Sequence, residues 1–258
     1  MITVHDLHKN YGSKAVLSGV NASFPRGQLT SLIGPNGAGK TTLLLMLARL
    51  LAPGRGDIRL DGQSIDTIPI GDYARRVATL RQSVDFNLRL TVDDLVAFGR
   101  FPYSRGALTA EDRRAIDQAI AFLSLEPLRQ AYLDELSGGQ RQMAFLAMTI
   151  AQQTDYLLLD EPLNNLDMRH AVQIMRALRR LCDEFGRTVI LVVHDINFAA
   201  AYSDSIVAMQ GGRVHCSGSV EQVVTEQQLQ ALYGLDFEIT HGARGRLCNY
   251  FNPPGEQQ

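Results

Sequence analysis

Gly34-Pro35-Asn36-Gly37-Ala38-Gly39-Lys40-Thr41-Thr42 is the stretch whose reading decides the fold. It follows the apolar run Leu29-Thr30-Ser31-Leu32-Ile33 and opens another, Leu43-Leu44-Leu45-Met46-Leu47-Ala48. A short β-like run, a glycine-rich turn and a helix-like run, in that order, form the setting a phosphate-binding loop requires. Gly34, Gly37 and Gly39 let the backbone bend without a Cβ clash, so successive N–H groups can converge on phosphate oxygens. A helix expected to start near Gly39 adds its positive N-terminal end to the cradle. In such a loop Lys40 reaches the β- and γ-phosphates, and Thr41 ligates the magnesium ion that bridges them. The competing view is a glycine-rich turn without chemistry, which the flanking strand and helix make the weaker one.

The totals bound what surrounds this loop. With 258 residues, 45% of them hydrophobic and 20% charged, the chain has room for one large α/β domain or one with a modest insert. Its longest apolar runs, Thr188 to Val193 and Tyr156 to Leu159, are far too short to cross a bilayer. Met1-Ile2-Thr3-Val4-His5-Asp6 lacks a basic start and an apolar core, so a cytoplasmic protein is expected. Cys182, Cys216 and Cys248 are odd in number and widely spaced, which speaks against a disulfide framework and a zinc site. A formal charge of -2 supplies no overall basic field for nucleic acid.

Residues 1 to 33 read as short strands and turns, with turn signals at Lys9-Asn10-Tyr11-Gly12 and Pro25-Arg26-Gly27. Tyr11 is the aromatic of the first turn, and by itself it reads as a packing residue. Gly54 to Gly62 is a strand closing on an Asp-Gly hairpin signal, and residues 76 to 82 form a further buried strand ending on the polar Gln82. Thr91 caps a helix start, a loop is expected over Gly99 to Gly106, and Thr109 opens a longer helix with Ile116, Ala119, Ile120 and Leu123 at helical spacing. The span from about 85 to 135 is therefore a mainly helical subdomain between strand-rich parts.

Four more clusters carry chemistry. Leu136-Ser137-Gly138-Gly139-Gln140 precedes a helix expected over Arg141 to Gln152 and offers a second anion-friendly N-terminus, or merely a capped helix. Tyr156-Leu157-Leu158-Leu159 ends in Asp160-Glu161. Asp160 stands at a strand's C-terminal end, where α/β sheets place ligands and a magnesium water can be held. Glu161 suits a general base or water-orienting role, unless the pair is only a solvated acidic turn. Asn164-Asn165-Leu166-Asp167 is a turn whose aspartate caps the next helix, which runs to Glu184. His194 follows the buried strand Thr188 to Val193, a place compatible with a structural or a catalytic histidine. Asp195 begins a helix through Tyr202, and Gly211-Gly212 joins the hairpin strands Ser205 to Gln210 and Arg213 to Ser217. The tail from Val220 carries one or two short helices, Thr225 to Tyr233 being the clearer. A strand pair is expected near Phe237 to Thr240 and Leu247 to Phe251.

Together these residues resemble the ATP-binding cassette (ABC) transporter ATPases over nearly the whole chain. Gly34 to Thr42 is similar to the family's phosphate loop, Gln82 to its glutamine lid and Leu136 to Gln140 to its signature sequence. Asp160 and Glu161 are similar to its magnesium strand and catalytic glutamate, Asn164 to Asp167 to its dimer-contact loop and His194 to its switch histidine. The resemblance implies a P-loop NTPase fold of the α/β class, one domain over 1–258. Its parts are an N-terminal antiparallel β part, an inserted helical subdomain at about 85–135 and a short C-terminal extension at 220–258. It implies ATP and Mg2+ as cofactors, with Tyr11 stacking on adenine. Gly34, Pro35, Asn36, Gly37, Ala38, Gly39, Lys40, Thr41, Thr42, Gln82 and Asp160 would contact the bound nucleotide and metal, the metal ligands being Thr41, Gln82 and Asp160. Glu161, His194, Gln82 and Lys40 would carry catalysis. Ser137, Gly138, Gly139, Gln140 and Asp167 would face ATP held by a second copy or a paralogue.

A finer resemblance, to ATPases of ferric-siderophore, haem and cobalamin importers, rests on Leu90 to Tyr103 and His194 to Asp204. The Asn-Asn-Leu-Asp wording at 164 to 167 looks most like ferric catecholate-siderophore systems. It implies a peripheral protein on the cytoplasmic face of the cell membrane, serving two permease subunits and, indirectly, an extracytoplasmic substrate-binding protein. The permease contact is expected at about Ser83 to Tyr103. Haem, cobalamin or metal import is the alternative cargo reading. A soluble ABC clamp is the alternative class, although one cassette, no heptad run and a slightly acidic balance fit it poorly.

Overall fold

The computed structural model describes residues 1–81, 89–242 and 245–251. The chain divides into two compact units, Met1–Gly62 with Val192–Gln258, and Gln63–Leu191.

The first unit opens with β1 (Ile2–Tyr11) and β2 (Lys14–Phe24), an antiparallel pair longer than the short strands the sequence implies. Then come β3 (Leu29–Ile33), α1 (Lys40–Leu47) and β4 (Arg55–Leu60), with β1 between β2 and β4. Ile2 and Val4 are buried and His5 exposed, the alternation of a half-buried strand, and a register shift between Val4 and Leu7 returns Leu7 to the buried side. All five residues of β3 are buried, which fits a strand covered on both faces. Its two hydroxyls are satisfied within the unit: Thr30 meets Ser205 and Ser31 meets Ser203, each pair at 2.7 Å.

The second unit begins with β5 (Gln63–Ser64), α2 (Ile70–Arg76) and β6 (Val77–Leu80). Gln82 lies outside the described residues. Next are α3 (Val92–Phe98), α4 (Phe101–Ser104) and α5 (Ala110–Phe122). Thr91 and Thr109 cap α3 and α5 through capping boxes with Asp94 and Asp112, as the Thr-x-x-Asp spacing requires. Ile116, Ala119, Ile120 and Leu123 are buried as expected. One expectation fails: the loop at 99 to 106 contains the four-residue α4. Its Arg100 is buried beside Asp112, and the arginine holds the chain in a turn of helix.

Then follow α6 (Gly138–Ala151), β7 (Tyr156–Asp160), α7 (Met168–Phe185) and β8 (Thr188–Val192). Strands β7 and β8 are wholly buried, and β6 pairs with β7 in parallel. Helix α7 buries Ala171, Ile174, Met175, Leu178, Leu181 and Cys182, one stripe of a 3.6-residue repeat, and Gly186 ends it in a left-handed turn.

The first unit resumes with α8 (Ile196–Tyr202), β9 (Ser205–Gln210) and β10 (Arg213–Ser219). It closes with α9 (Val220–Val223), α10 (Glu226–Tyr233) and the hairpin β11 (Glu238–Gly242) and β12 (Gly245–Asn249). Strand β9 lies between β10 and β3, parallel to β3, so the strand that enters the glycine-rich loop is flanked by a neighbour running the same way. The Asp204 carboxylate accepts the Leu29 N–H at 2.8 Å and fixes where that strand begins.

Candidate functional site

The glycine-rich loop has a packed back and an open front. Gly34 takes φ 136°, and a Cβ there would lie 2.0 Å from the Met209 carbonyl oxygen. Gly39 takes φ 96°, and its Cβ would lie 2.6 Å from a Leu17 methyl. Only glycine fits at these two places. Gly37, at the tip, also has positive φ, but nothing lies within 4 Å of its Cβ position. Backbone bonds tie the loop down: Ala38 N–H reaches the Pro35 oxygen at 3.2 Å, and Gly212 N–H reaches the Ala38 oxygen at 3.2 Å. The Gly212 oxygen in turn accepts from Ser18 N–H at 2.9 Å.

Lys40 opens α1 and is buried, its Nζ donating to the Gly34 oxygen at 2.7 Å and the Pro35 oxygen at 3.0 Å. The cation therefore spans the loop. Leu43 N–H donates to the Gly39 oxygen at 2.9 Å, so the loop runs directly into α1, and the N–H groups of the first helical turn, Lys40 to Thr42, form its positive end. A turn with its glycines packed behind, a lysine across it and a helix N-terminus at its end fits the polyphosphate of a nucleotide.

Two more expected residues lie in the same unit. Val193 N–H donates to the Leu32 oxygen at 3.2 Å, which places the exposed His194 after a residue bound to the strand that enters the loop. Asp195 caps α8 through Asn197 N–H at 2.8 Å. Tyr11 stands at the end of β1 and is 51% exposed, with the Lys9 ammonium 5.8 Å from its ring centroid.

In the second unit the acidic pair divides. Asp160 is buried as the last residue of β7, whereas Glu161 follows in a left-handed conformation, φ 51°. A non-glycine residue is held there only when its surroundings impose it, at a cost of about 1–3 kcal/mol. The surroundings are a tight turn: Asn164 N–H bonds the Glu161 oxygen at 3.2 Å, and the Asn164 side-chain amide donates to the Glu161 carboxylate. Asn164 thus orients the carboxylate.

Ser137, Gly138, Gly139 and Gln140 differ from the expected placement. Helix α6 begins at Gly138, three residues before Arg141, so both glycines form its first turn. Ser137 is the N-cap; its hydroxyl accepts the Gln140 N–H at 3.3 Å, and the Gln140 side chain accepts the Ser137 N–H at 2.9 Å. That reciprocal cap supplies the extra turn. Ser137 and Gly138 are exposed while Gly139 is buried. Asp167 caps α7 and holds the His170 N–H at 2.8 Å and its Nδ1 at 2.9 Å, contacts that keep the Asp167 carboxyl below its ordinary pKa. Sequence reasoning missed His170, although an aspartate three residues before a histidine at a helix start is a signal for this contact. Among the described residues no group of three or more His, Cys, Asp or Glu side chains is placed to hold a metal alone. Magnesium takes oxygen ligands and is commonly shared with nucleotide oxygens; the Thr41 hydroxyl of the first unit is a donor of that kind, and so, in the second unit, is the Asp160 carboxylate.

Residues 17–164 match the family model described as ABC transporter. The chain is 47% identical to the petrobactin import ATP-binding protein YclP of Bacillus subtilis (strain 168), over 98% of this chain and 100% of the relative. It is 48% identical to the petrobactin import ATP-binding protein FatE of Bacillus anthracis, over 97% of this chain and 100% of that one. Its fold matches the dimeric structure of MJ0796, a bacterial ABC transporter cassette, with a TM-score of 0.76 and 28% identity over 85% of this chain and 99% of the cassette.

Proposed function

This chain belongs to the ABC transporter family, and we propose that it is the ATP-hydrolysing subunit of an importer of an iron–siderophore complex. The observation that carries the cargo class is the end-to-end similarity to two petrobactin import ATP-binding proteins, with no segment of either relative left unmatched. Among the described residues no helix is long and apolar enough to cross a membrane, so the path for the cargo belongs to separate permease subunits. The chain works as one ATPase domain on the cytoplasmic face of the membrane, beneath two permease subunits that an extracytoplasmic binding protein supplies.

The residues take the following roles in this reading. The loop from Gly34 to Thr42 wraps the β- and γ-phosphates with N–H groups, and Lys40 turns its ammonium from the loop carbonyls to the phosphate oxygens. Tyr11 stacks on the adenine. Thr41, Asp160 and Gln82 serve the magnesium ion, whose charge neutralises the phosphates when bound. Glu161, aimed by Asn164, accepts the proton of the attacking water, and His194 with Gln82 senses the γ-phosphate. Ser137, Gly138, Gly139, Gln140 and Asp167 present a helix N-terminus and a capped turn to ATP held by a second copy. Closure of the pair on ATP and reopening after hydrolysis is a population shift driven by contacts made in only one state.

Purification of the tagged chain from detergent-dissolved membranes of its own cell tests this reading. A polytopic permease should elute with it, and deletion of the chain should abolish uptake of siderophore-bound radioactive iron. Recovery without a membrane protein, together with unchanged iron uptake, would refute it.

A further inference from the structure

Gly34 is where β3 becomes the loop, and the two peptide groups at this residue are held by different parts of the chain. Strand β3 pairs with β9 as far as Ile33 and Ala208. At the next residue the Gly34 N–H donates instead to the Tyr233 hydroxyl, at 3.1 Å. The Gly34 carbonyl oxygen accepts from Lys40 Nζ at 2.7 Å. With Met209 packed where a Cβ would stand, the glycine has no room to pivot on that side.

Tyr233 comes from the last residue of α10, in the C-terminal tail and beyond residues 17–164 that match the family model. Its position is set independently of the hydroxyl. Gln210, one residue after Met209, donates its side-chain amide to the Ala231 and Leu232 oxygens at 3.2 and 3.1 Å. The ring packs 6.0 Å from Phe237, which lies 5.5 Å from Tyr250. Asn197 of α8 pairs with the Cys248 backbone at 2.7 and 3.2 Å and anchors the hairpin that carries these rings. Burial pushes the Tyr233 phenol up to about 12, so the group that accepts from the Gly34 N–H is a neutral hydroxyl.

We propose that Tyr233 is a positioning residue for the nucleotide triphosphate: one hydroxyl from the C-terminal tail fixes the peptide at which the loop turns and, through Gly34, the carbonyls on which Lys40 rests. This role rests on the loop being the nucleotide site, and it makes the tail a structural part of that site. Without the hydroxyl, Gly34 loses its acceptor and the loop samples orientations in which its N–H groups and Lys40 do not converge.

Tyr233→Phe in the full chain removes the oxygen and leaves the ring. Calorimetric titration with magnesium and a slowly hydrolysed ATP analogue should give a dissociation constant raised about 3- to 10-fold. The Gly34 amide resonance should shift in the 15N–1H spectrum of the ligand-free protein. Phe237→Leu loosens the packing around the ring while Gln210 still holds the Ala231 and Leu232 oxygens at the end of α10, so it should lower the melting temperature and hold the dissociation constant within about 2-fold. An unchanged dissociation constant in Tyr233→Phe, or an equal rise in Phe237→Leu, would overturn the proposal. Failure of the unsubstituted chain to bind the analogue would instead overturn the nucleotide reading beneath it.

Discussion

Gly139 and His170 stand so close that a methyl group on the glycine would lie 2.4 Å from the imidazole Cγ. The ring has no easy escape, because Nδ1 is held at 2.9 Å by both oxygens of Asp167. The first turn of α6 is thereby keyed to the first turn of α7. Two adjacent glycines answer to different needs, since Gly138 has nothing within 4 Å of its Cβ position.

Gly139→Ala should therefore destabilise the chain by about 1–3 kcal/mol, the usual cost of overpacking. Gly138→Ala should be neutral or stabilising by up to about 1 kcal/mol, because it restricts the unfolded chain at a position with room. Urea unfolding of the two variants checks the contrast. In the closed pair the order should reverse for Gly138, where an added methyl on the exposed face obstructs the partner's ATP.

Arg100 and Asp112 form a buried pair, Nε to Oδ1 at 2.8 Å, and Arg100 also donates to the Ala151 oxygen at 2.9 Å. Asp112→Ala would strand the guanidinium and should cost about 3–5 kcal/mol in urea unfolding. The pair also sets an acid limit. The Thr109 N–H first, and Arg100 with the Thr109 hydroxyl after it, lower the Asp112 carboxyl from 3.8 to about 2. The unfolded chain takes up this proton first as pH falls. The contribution is thus full above 3.8 and disappears as the pH falls towards about 2, and urea midpoints across that window should record it.

Tyr11→Ala should weaken nucleotide binding by roughly 1–3 kcal/mol, the range found when a base loses its aromatic platform. The ring is half exposed, so the melting temperature of the ligand-free chain should scarcely move. Titration with magnesium and a slowly hydrolysed ATP analogue measures the first effect and a thermal scan the second.

Much of this was legible in the sequence because local rules and the fold agree. Thr91 as a cap and Thr109 as a helix start marked where α3 and α5 begin, and the apolar runs before Gly34, Asp160 and His194 became the buried strands β3, β7 and β8. Where local rules missed, a distant partner or a specific side-chain contact nearby had decided. The helical turn at Phe101–Ser104 follows Arg100, whose partners Asp112 and Ala151 lie far along the chain. The earlier start of α6 comes from a side-chain cap that a run of glycines conceals. The left-handed Glu161 is fixed by the turn to Asn164, and no residue preference announces a glutamate there. Tyr233 was invisible as a site residue because its contact spans 199 positions.

The most direct test of the account is the mass of Glu161→Gln with ATP and magnesium, read by light scattering on gel filtration. Without the proposed general base the chain should hydrolyse ATP slower by roughly 10²–10⁴-fold and stay in the closed pair. A species of twice 28.5 kDa, dispersed again by removing ATP, is the predicted result. A single species of 28.5 kDa that has bound ATP and does not pair would contradict a site completed by a second copy of the chain.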